Sequence, residues 1–369
     1  MQKLLAISII FTVLILWLAA ITAQAAPTQN QIDEAIRKGL EWLADQQSQD
    51  GYFGDILDPV YPLASTATAV LAFENEGHFP GGGTKYSANV EKGLDYIFSK
   101  AAIIEPIDLQ PAGDPDSDKD GQGVYFDEGN PGYETGMCLM AIVASNTPDR
   151  VVSTGPCAGW TYREVVVDVV DGFAYSQDDK DDPTDRVYGG WRYDPSIADS
   201  GSDNSVTQWQ VTAMIAAEQW GIKAPDWVKT NLDNWVNYIQ DPSSGGSGYT
   251  DPQEDVNLAK TGALLVEMYW LGDNKDTPRA QKAIAYIDDQ GLWEENNKGE
   301  PYTMFSVFKG LELVMADSLP SAVSGGDWLG DYNQWLVDNQ TLDGYWEGGI
   351  WSEGSWIATG WYILILHGT

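Results

Sequence analysis

Two cysteines and two histidines are the only thiol and imidazole groups in this 369-residue chain. Cys138, Cys157, His78 and His367 are too few and too scattered for a zinc site of the usual Cys and His kind. Positive charge is scarce as well: 20 Lys and Arg face 55 Asp and Glu, a net charge of −35. That balance opposes nucleic acid and anionic membrane surfaces, which carry the same sign. It favours cations, and it keeps a chain dissolved and monomeric. Long apolar runs are also few. The first, Leu4 to Ala20, follows Lys3 and precedes Ala23-Gln24-Ala25, the small-x-small pattern of a cleavage site. Residues 1–25 therefore read as a signal peptide, with an uncleaved anchor as the alternative. Either way the folded part, residues 26–369, is expected outside the cytoplasm: secreted, periplasmic or at the cell surface. No stable membrane insertion is expected after cleavage. In that setting the two cysteines suggest a Cys138–Cys157 disulfide, a buried free Cys138 being the alternative.

What the chain has in quantity is repetition. An amphipathic helix, a Gln, a short gap, a Gly and an aromatic recur. The first copy is Trp42, Gln46, Gly51 and Phe53. Later copies are Phe173, Gln177 and Gly189-Gly190-Trp191; Val236, Gln240 and Gly248-Tyr249; Tyr286, Gln290, Gly291 and Trp293; and Leu336, Gln340, Gly344 and Trp346. A weaker copy has Tyr96 with Lys100 in the Gln place. After each comes an alanine-rich apolar helix: Leu63 to Phe73, Tyr133 to Ser145, Ser205 to Trp220, Leu258 to Leu271, Tyr302 to Val314 and Trp356 to Leu366. The unit is two helices in about 50 to 75 residues, six times over. The first helix of each pair is charged on one face; the second is apolar nearly all round and should be buried. The last apolar helix lacks the polar outer face that a terminal solenoid repeat needs. Closure into an all-α (α/α)6 toroid, one domain of six helical hairpins, is therefore expected rather than an open stack. A chain of this size can bury a full core alone, so a monomer is expected.

Lys38-Gly39, Trp42, Gln46, Gly51 and Phe53 together resemble the QW motif of the squalene cyclase and prenyltransferase repeat superfamily. The resemblance covers nearly the whole mature chain. It implies a terpenoid cyclase-like toroid in which each Gln ties a helix end to neighbouring backbone and each aromatic stacks on the next repeat. It does not imply one activity. The Asp-Cys-His zinc triad of the protein prenyltransferases cannot be placed here, and the Cys-Gly-Glu-Gln of thioester domains is absent. The cyclase motif Asp-x-Asp-Asp is matched by Asp203-Asn204-Ser205-Val206, with Ser205 where the proton-donating Asp should stand.

The sharpest local signal is the run Asp114 to Glu128. Asp116, Asp118 and Asp120 stand at positions one, three and five of an EF-hand-type loop, Gly121 follows, Gln122 offers a carbonyl at seven, and Asp127 stands at twelve. Hard carboxylate oxygens in a Gly turn suit calcium, the expected cofactor. The other reading is a solvated acidic loop. A second acidic run, Asp178 to Asp185, lacks this alternation and reads as a solvated insertion on the rim of the toroid.

In a closed ring the starts of the inner helices face the mouth of a central cavity. There the sequence places Glu134, Asp203, Asp255, Glu353 and Tyr302, beside Trp191, Arg192, Tyr193, Asp194, Trp293, Trp346 and Trp351. Helix capping is the ordinary role of such acids. Collected round one cavity, they suit a polysaccharide or another extracellular ligand, since sugars stack on Trp and Tyr and hydrogen-bond to carboxylates. Binding of a glycan is the leading expectation. The alternative is catalysis by a lyase, a hydrolase or a terpenoid-type cyclase. Asp203, Glu134 and Tyr302 are the candidate catalytic residues, since hydrolysis needs two carboxylates about 5 to 9.5 Å apart.

Overall fold

Proline and small polar residues start the helices where the sequence places them. In the computed structural model, Pro62, Pro131, Pro278 and Pro301 each occupy a first helical position. There the missing N–H costs nothing. Asp203, Asn257 and Asp327 cap their helices by accepting from the backbone N–H of Ser205, Lys260 and Gly330. Thr161 and Glu164 form a reciprocal capping box. The structure describes residues 26–54, 61–179, 188–197, 201–295, 297–315, 327–349 and 354–368. The expected signal peptide, Trp351 and Glu353 lie outside them.

Among the described residues there are 13 α-helices. The outer set is α1 (Gln29–Gln46), α3 (Ser87–Ser99), α5 (Tyr162–Ser176), α7 (Asp226–Ile239), α9 (Pro278–Ile287) and α12 (Trp328–Asn339). The inner set is α2 (Pro62–Asn75), α4 (Pro131–Ala144), α6 (Asn204–Ala217), α8 (Leu258–Trp270), α11 (Pro301–Met315) and α13 (Ser355–His367). A short α10 (Gln290–Glu295) precedes α11. Inner helices pack in the cycle α2–α4–α6–α8–α11–α13 and back to α2, and outer helix α12 meets α1. The chain is therefore a closed (α/α)6 toroid. Glycines let the inner helices touch: a Cβ on Gly310 would stand 2.4 Å from the Gly262 carbonyl oxygen, and one on Gly360 2.5 Å from the Thr68 side chain. No described helix is long and apolar enough to cross a membrane.

One element was not foreseen. Between α3 and α4 an antiparallel hairpin pairs β1 (Ala101–Ile104) with β2 (Gly123–Phe126), Ala101 opposite Phe126. The acidic run is the loop of this hairpin. The expected disulfide is not present: Cys138 and Cys157 are both free and buried. Their thiols sit in different surroundings, Cys138 near Glu134 and Glu128, and Cys157 near Asp168. Burial pushes the Cys157 thiol up to about 12.

The recurring glutamines do what the resemblance implies. Each stands just after an outer helix and donates its amide twice. Gln177 reaches the carbonyls of Gly189 (2.8 Å) and Val228 (3.0 Å). Gln240 reaches Gly245 and Arg279 (both 2.9 Å). Gln340 reaches Gly344 and Ala35 (both 2.8 Å). One bond closes the local turn; the other grips the next outer helix. In the first repeat this residue is Gln47, which reaches Gly51 and Asn89 (both 2.9 Å). The expected Trp42–Gln46 register is thus one residue early, because the buried partner four positions before is Leu43, not Trp42. In the fourth repeat the motif glycine is Gly245, not Gly248. In the fifth, the residue capping α9 is Asp288, and Gln290 instead starts α10.

Candidate functional site

The order of the inner helices fixes what lies on the axis. α6 and α13 are opposite members of the six, so any contact between them crosses the centre. Trp209 of α6 and Trp361 of α13 stack with ring centroids 5.6 Å apart. Phe305 of α11 stacks on both, at 5.7 and 5.4 Å. These three buried rings close the axis within the first two turns of their helices. The expected central cavity is therefore filled at this level.

Above the stack sits a polar layer. Ser205 Oγ lies 2.8 Å from the Tyr133 hydroxyl, and the Tyr302 hydroxyl donates to the Ser205 carbonyl at 2.6 Å. Gln208 donates to the Tyr302 hydroxyl. On the rim, the hydroxyls of Tyr193 and Tyr249 are bonded to each other. Asp203 is buried beneath them. Its Oδ1 accepts from the backbone N–H and hydroxyl of Ser205 at 2.8 and 2.7 Å, and its carboxylate lies close to the Tyr193 and Tyr249 hydroxyls. Burial, first among several causes that include the nearby Asp203, raises the phenols of Tyr133, Tyr193 and Tyr249. Arg192 lies 5.6 Å from the Tyr193 ring. Asp255 is exposed and pairs with Lys260 at 2.8 Å, whose ammonium stands 5.7 Å from the Tyr249 ring. Asp203, Tyr302, Arg192, Tyr193 and Asp255 thus belong to or border this mouth.

Other expected site residues do not. Trp191, Trp293 and Trp346 are buried, and each indole N–H is already used. They donate to the Phe173 carbonyl (2.7 Å), an Asp331 oxygen (2.7 Å) and the Leu336 carbonyl (2.8 Å). They are wedges between helices with no face for a ligand. Glu134 is buried, and its Oε2 accepts from the backbone of Glu128 (2.8 Å) and Asn130 (3.1 Å), which makes it the anchor of the segment entering α4. Burial, first among several causes, pushes its carboxyl up to about 7. Asp194 accepts from the N–H and hydroxyl of Ser196, at 2.9 and 2.5 Å, inside its own turn. Tyr249, Gln208 and the axial aromatics were not foreseen at the site, because only ring closure brings them there.

The acidic loop gathers a second cluster of carboxylates. Carboxylate oxygens of Asp116, Asp118 and Asp120 lie within 4.8 Å of one another. Asp116 accepts from the backbone N–H of Lys119 (2.7 Å) and Gly121 (3.0 Å), which folds the loop. Gln122 leans on Asp120 through its N–H (2.8 Å) and side-chain amide (3.2 Å). Asp127 does not take the twelfth place. β2 separates it from the loop, and it caps a turn at Gly129 (2.8 Å). Asp168 and Asp171 of α5 come there instead, with oxygens within 4.8 Å of Asp118. Glycines allow this approach, since a Cβ on Gly123 would stand 3.2 Å from the Gly172 Cα. The signal for them was present: two acids three residues apart on the apolar face of Val165 to Val170.

No protein-family model matches the chain, and no curated protein matches it. Solved structures do. The type II terpene cyclase MstE from Scytonema, in its apo form, is 13% identical, with 92% of this chain and 98% of that chain covered and a TM-score of 0.53. MstE in complex with merosterolic acid A, its product, gives 12%, 92%, 97% and 0.51. A glycoside hydrolase of family 76, a mannosidase from Bacteroides thetaiotaomicron VPI-5482, is 10% identical, covers 91% and 97%, and has a TM-score of 0.55. Likeness at these identities is one of fold. Both are toroids of paired helices, and this chain has the terpenoid cyclase-like α/α toroid fold.

Proposed function

We propose that the protein acts outside the cytoplasm, as a monomer, binding a glycan at the tyrosine-lined mouth of the toroid. The observation that carries this reading is the layering at the axis. Four tyrosines and the buried Asp203 stand over a floor closed by Trp209, Phe305 and Trp361. A shallow, aromatic, hydroxyl-rich mouth suits a sugar ring, which stacks one face and hydrogen-bonds at its edge. It suits a long prenyl chain poorly, since that needs depth along the axis. Ser205, hydrogen-bonded in this layer, also occupies the place of the cyclase acid.

Glycoside hydrolysis is the second reading. It draws on the buried Asp203, and on the fold shared with a mannosidase. Asp255, on the same rim, is the second carboxylate it would use.

The test is retention in affinity gels containing mannan, xylan, glucan and pectin, with reducing-end release measured in parallel. Retention on at least one, reduced tenfold or more by Tyr193→Ala and by Tyr249→Ala, supports binding at the mouth. Product release abolished by Asp203→Asn moves the assignment to hydrolysis. Absence of both retention and release across the panel overturns the glycan reading.

A further inference from the structure

We infer that Asp116, Asp118 and Asp120 of the hairpin loop and Asp168 and Asp171 of helix α5 form one divalent-cation site, selective for calcium, which clamps the loop to the outer wall of the toroid. The site does not depend on what binds at the mouth.

Two observations carry it. The first is convergence. Two groups of three carboxylates, each with oxygens within 4.8 Å of one another, share Asp118. The second is the state of the helix pair. Asp168 is 2% exposed. Asp171 is fully buried, and its Oδ1 has no partner while Oδ2 accepts from the N–H and hydroxyl of Ser117 at 2.9 and 3.0 Å. A buried carboxylate oxygen without a donor is costly to hold unless a cation compensates it. Val165, Val166, Val169 and Val170 of the same helix are packed in the core. Lys119, the cation of the loop, bonds to Asp114 (2.6 Å) and to the Asp116 carbonyl (2.5 Å).

The donor set selects the ion. All candidate ligands are carboxylate oxygens, which excludes metals that prefer nitrogen or sulfur. Calcium accepts six to eight oxygens in irregular geometry, whereas magnesium demands a near-ideal octahedron and keeps its waters. A loop and a helix face supplying five carboxylates fit the first. The register is also not that of an EF-hand, because the distal acid comes from α5 rather than from Asp127. The clamp has a reason to exist. The loop leads through β2 and the Glu134-anchored turn directly into α4, which carries Tyr133.

The experiment is calorimetric titration of calcium into the chelator-stripped full chain, with thermal melting alongside. One site per chain and a higher Tm with calcium are expected. Asp118→Asn and Asp168→Asn should each weaken binding at least tenfold, and Asp127→Asn should leave it unchanged. Asp168→Asn should also melt no lower than the parent without calcium, since it removes repulsion, while losing the calcium-induced rise. That pairing separates lost ligation from misfolding. No heat and no Tm shift overturns the site. Unchanged binding in Asp168→Asn, or loss in Asp127→Asn, overturns the ligand set. An equal response to magnesium overturns the calcium assignment.

Discussion

Gln340 donates its side-chain amide to the carbonyl of Ala35, 305 positions earlier in the chain, at 2.8 Å. The same side chain closes its own turn on Gly344 at 2.8 Å. The bond that Gln177 makes to the following repeat, Gln340 makes to the first one, so it is the latch of the ring. A half-buried amide bond of this kind contributes about 1 kcal/mol net, and an orphaned partner costs about 1 to 3 kcal/mol where water cannot reach it. Gln340→Ala should therefore lower stability by about 2 to 4 kcal/mol, summed over two acceptors. Urea denaturation checks the size. Hydrogen exchange checks the place: α1 and α12 should lose protection before the rest of the ring. Uniform loss of protection would contradict the latch role.

Gly189 tests the motif glycine. Its φ is +111°, and a Cβ there would stand 2.0 Å from the Asn231 carbonyl oxygen, on the backbone of the next outer helix. Gly272 has φ +96° and nothing within 4 Å of its Cβ position. Gly272→Ala should cost about 1 kcal/mol, the conformational term alone. Gly189→Ala adds a clash with backbone that cannot rotate away, and should cost above about 3 kcal/mol. Equal melting temperatures for the two variants would refute the close-approach argument.

A threonine in the first two turns of five inner helices receives the backbone of the preceding turn. Trp191 N donates to Thr207 Oγ1 at 3.0 Å, and that hydroxyl donates to the Asp203 carbonyl at 2.9 Å. Thr66, Thr135, Thr261 and Thr359 receive Phe53, Phe126, Ser247 and Trp346 in the same way. Thr207→Val keeps the shape and leaves a buried N–H unpaired, so a loss of about 1 to 3 kcal/mol is expected. Thr207→Ser keeps the hydroxyl and should recover most of it. Chemical denaturation of the pair separates the hydrogen bond from packing.

These threonines also show where the sequence was legible. The repeat, the two helix classes and ring closure followed from periodicity and from the apolar last helix, because both are local. Gln177, Gln240 and Gln340 were readable at the right positions, whereas Trp42 drew the first register one residue away from Gln47. An aromatic side chain marks a motif more loudly than the Leu43 that occupies its buried place. The mouth was harder. Trp191, Trp293 and Trp346 read as ligand platforms by residue type, but a tryptophan with a carbonyl or carboxylate within reach of its N–H is as content in a wall. Asp168 and Asp171 were missed because loop spacing pointed down the chain to Asp127, whereas the neighbour in space comes from α5. Ring closure and hairpin packing, not sequence distance, decide which groups meet.

The buried acids give the pH dependence a definite sign. Asp168 is raised to about 8, and Asp171 and Glu134 to about 7, each by burial first. Glu74 and Glu267 are raised too, by burial alone. In the unfolded chain all five titrate near about 4. Between that value and their folded values, the folded protein holds protons that the unfolded chain has released. Stability then falls as pH rises, since the unfolded state binds fewer protons. The calcium-free protein should therefore be more stable at pH 5 than at pH 8, with the decline spread across that window. Calcium bound at the proposed site should flatten the decline, because the ion would replace protons at Asp168 and Asp171 and bind more tightly as they ionise. Glu267→Gln should raise the Tm at pH 8 and change it little at pH 4, where the native carboxyl is protonated and the unfolded one about half so. Melting curves from pH 4 to 8, with calcium and with chelator, check all three. A calcium-free protein that gains stability between pH 5 and 8 would show that these carboxylates are charged and compensated in the fold.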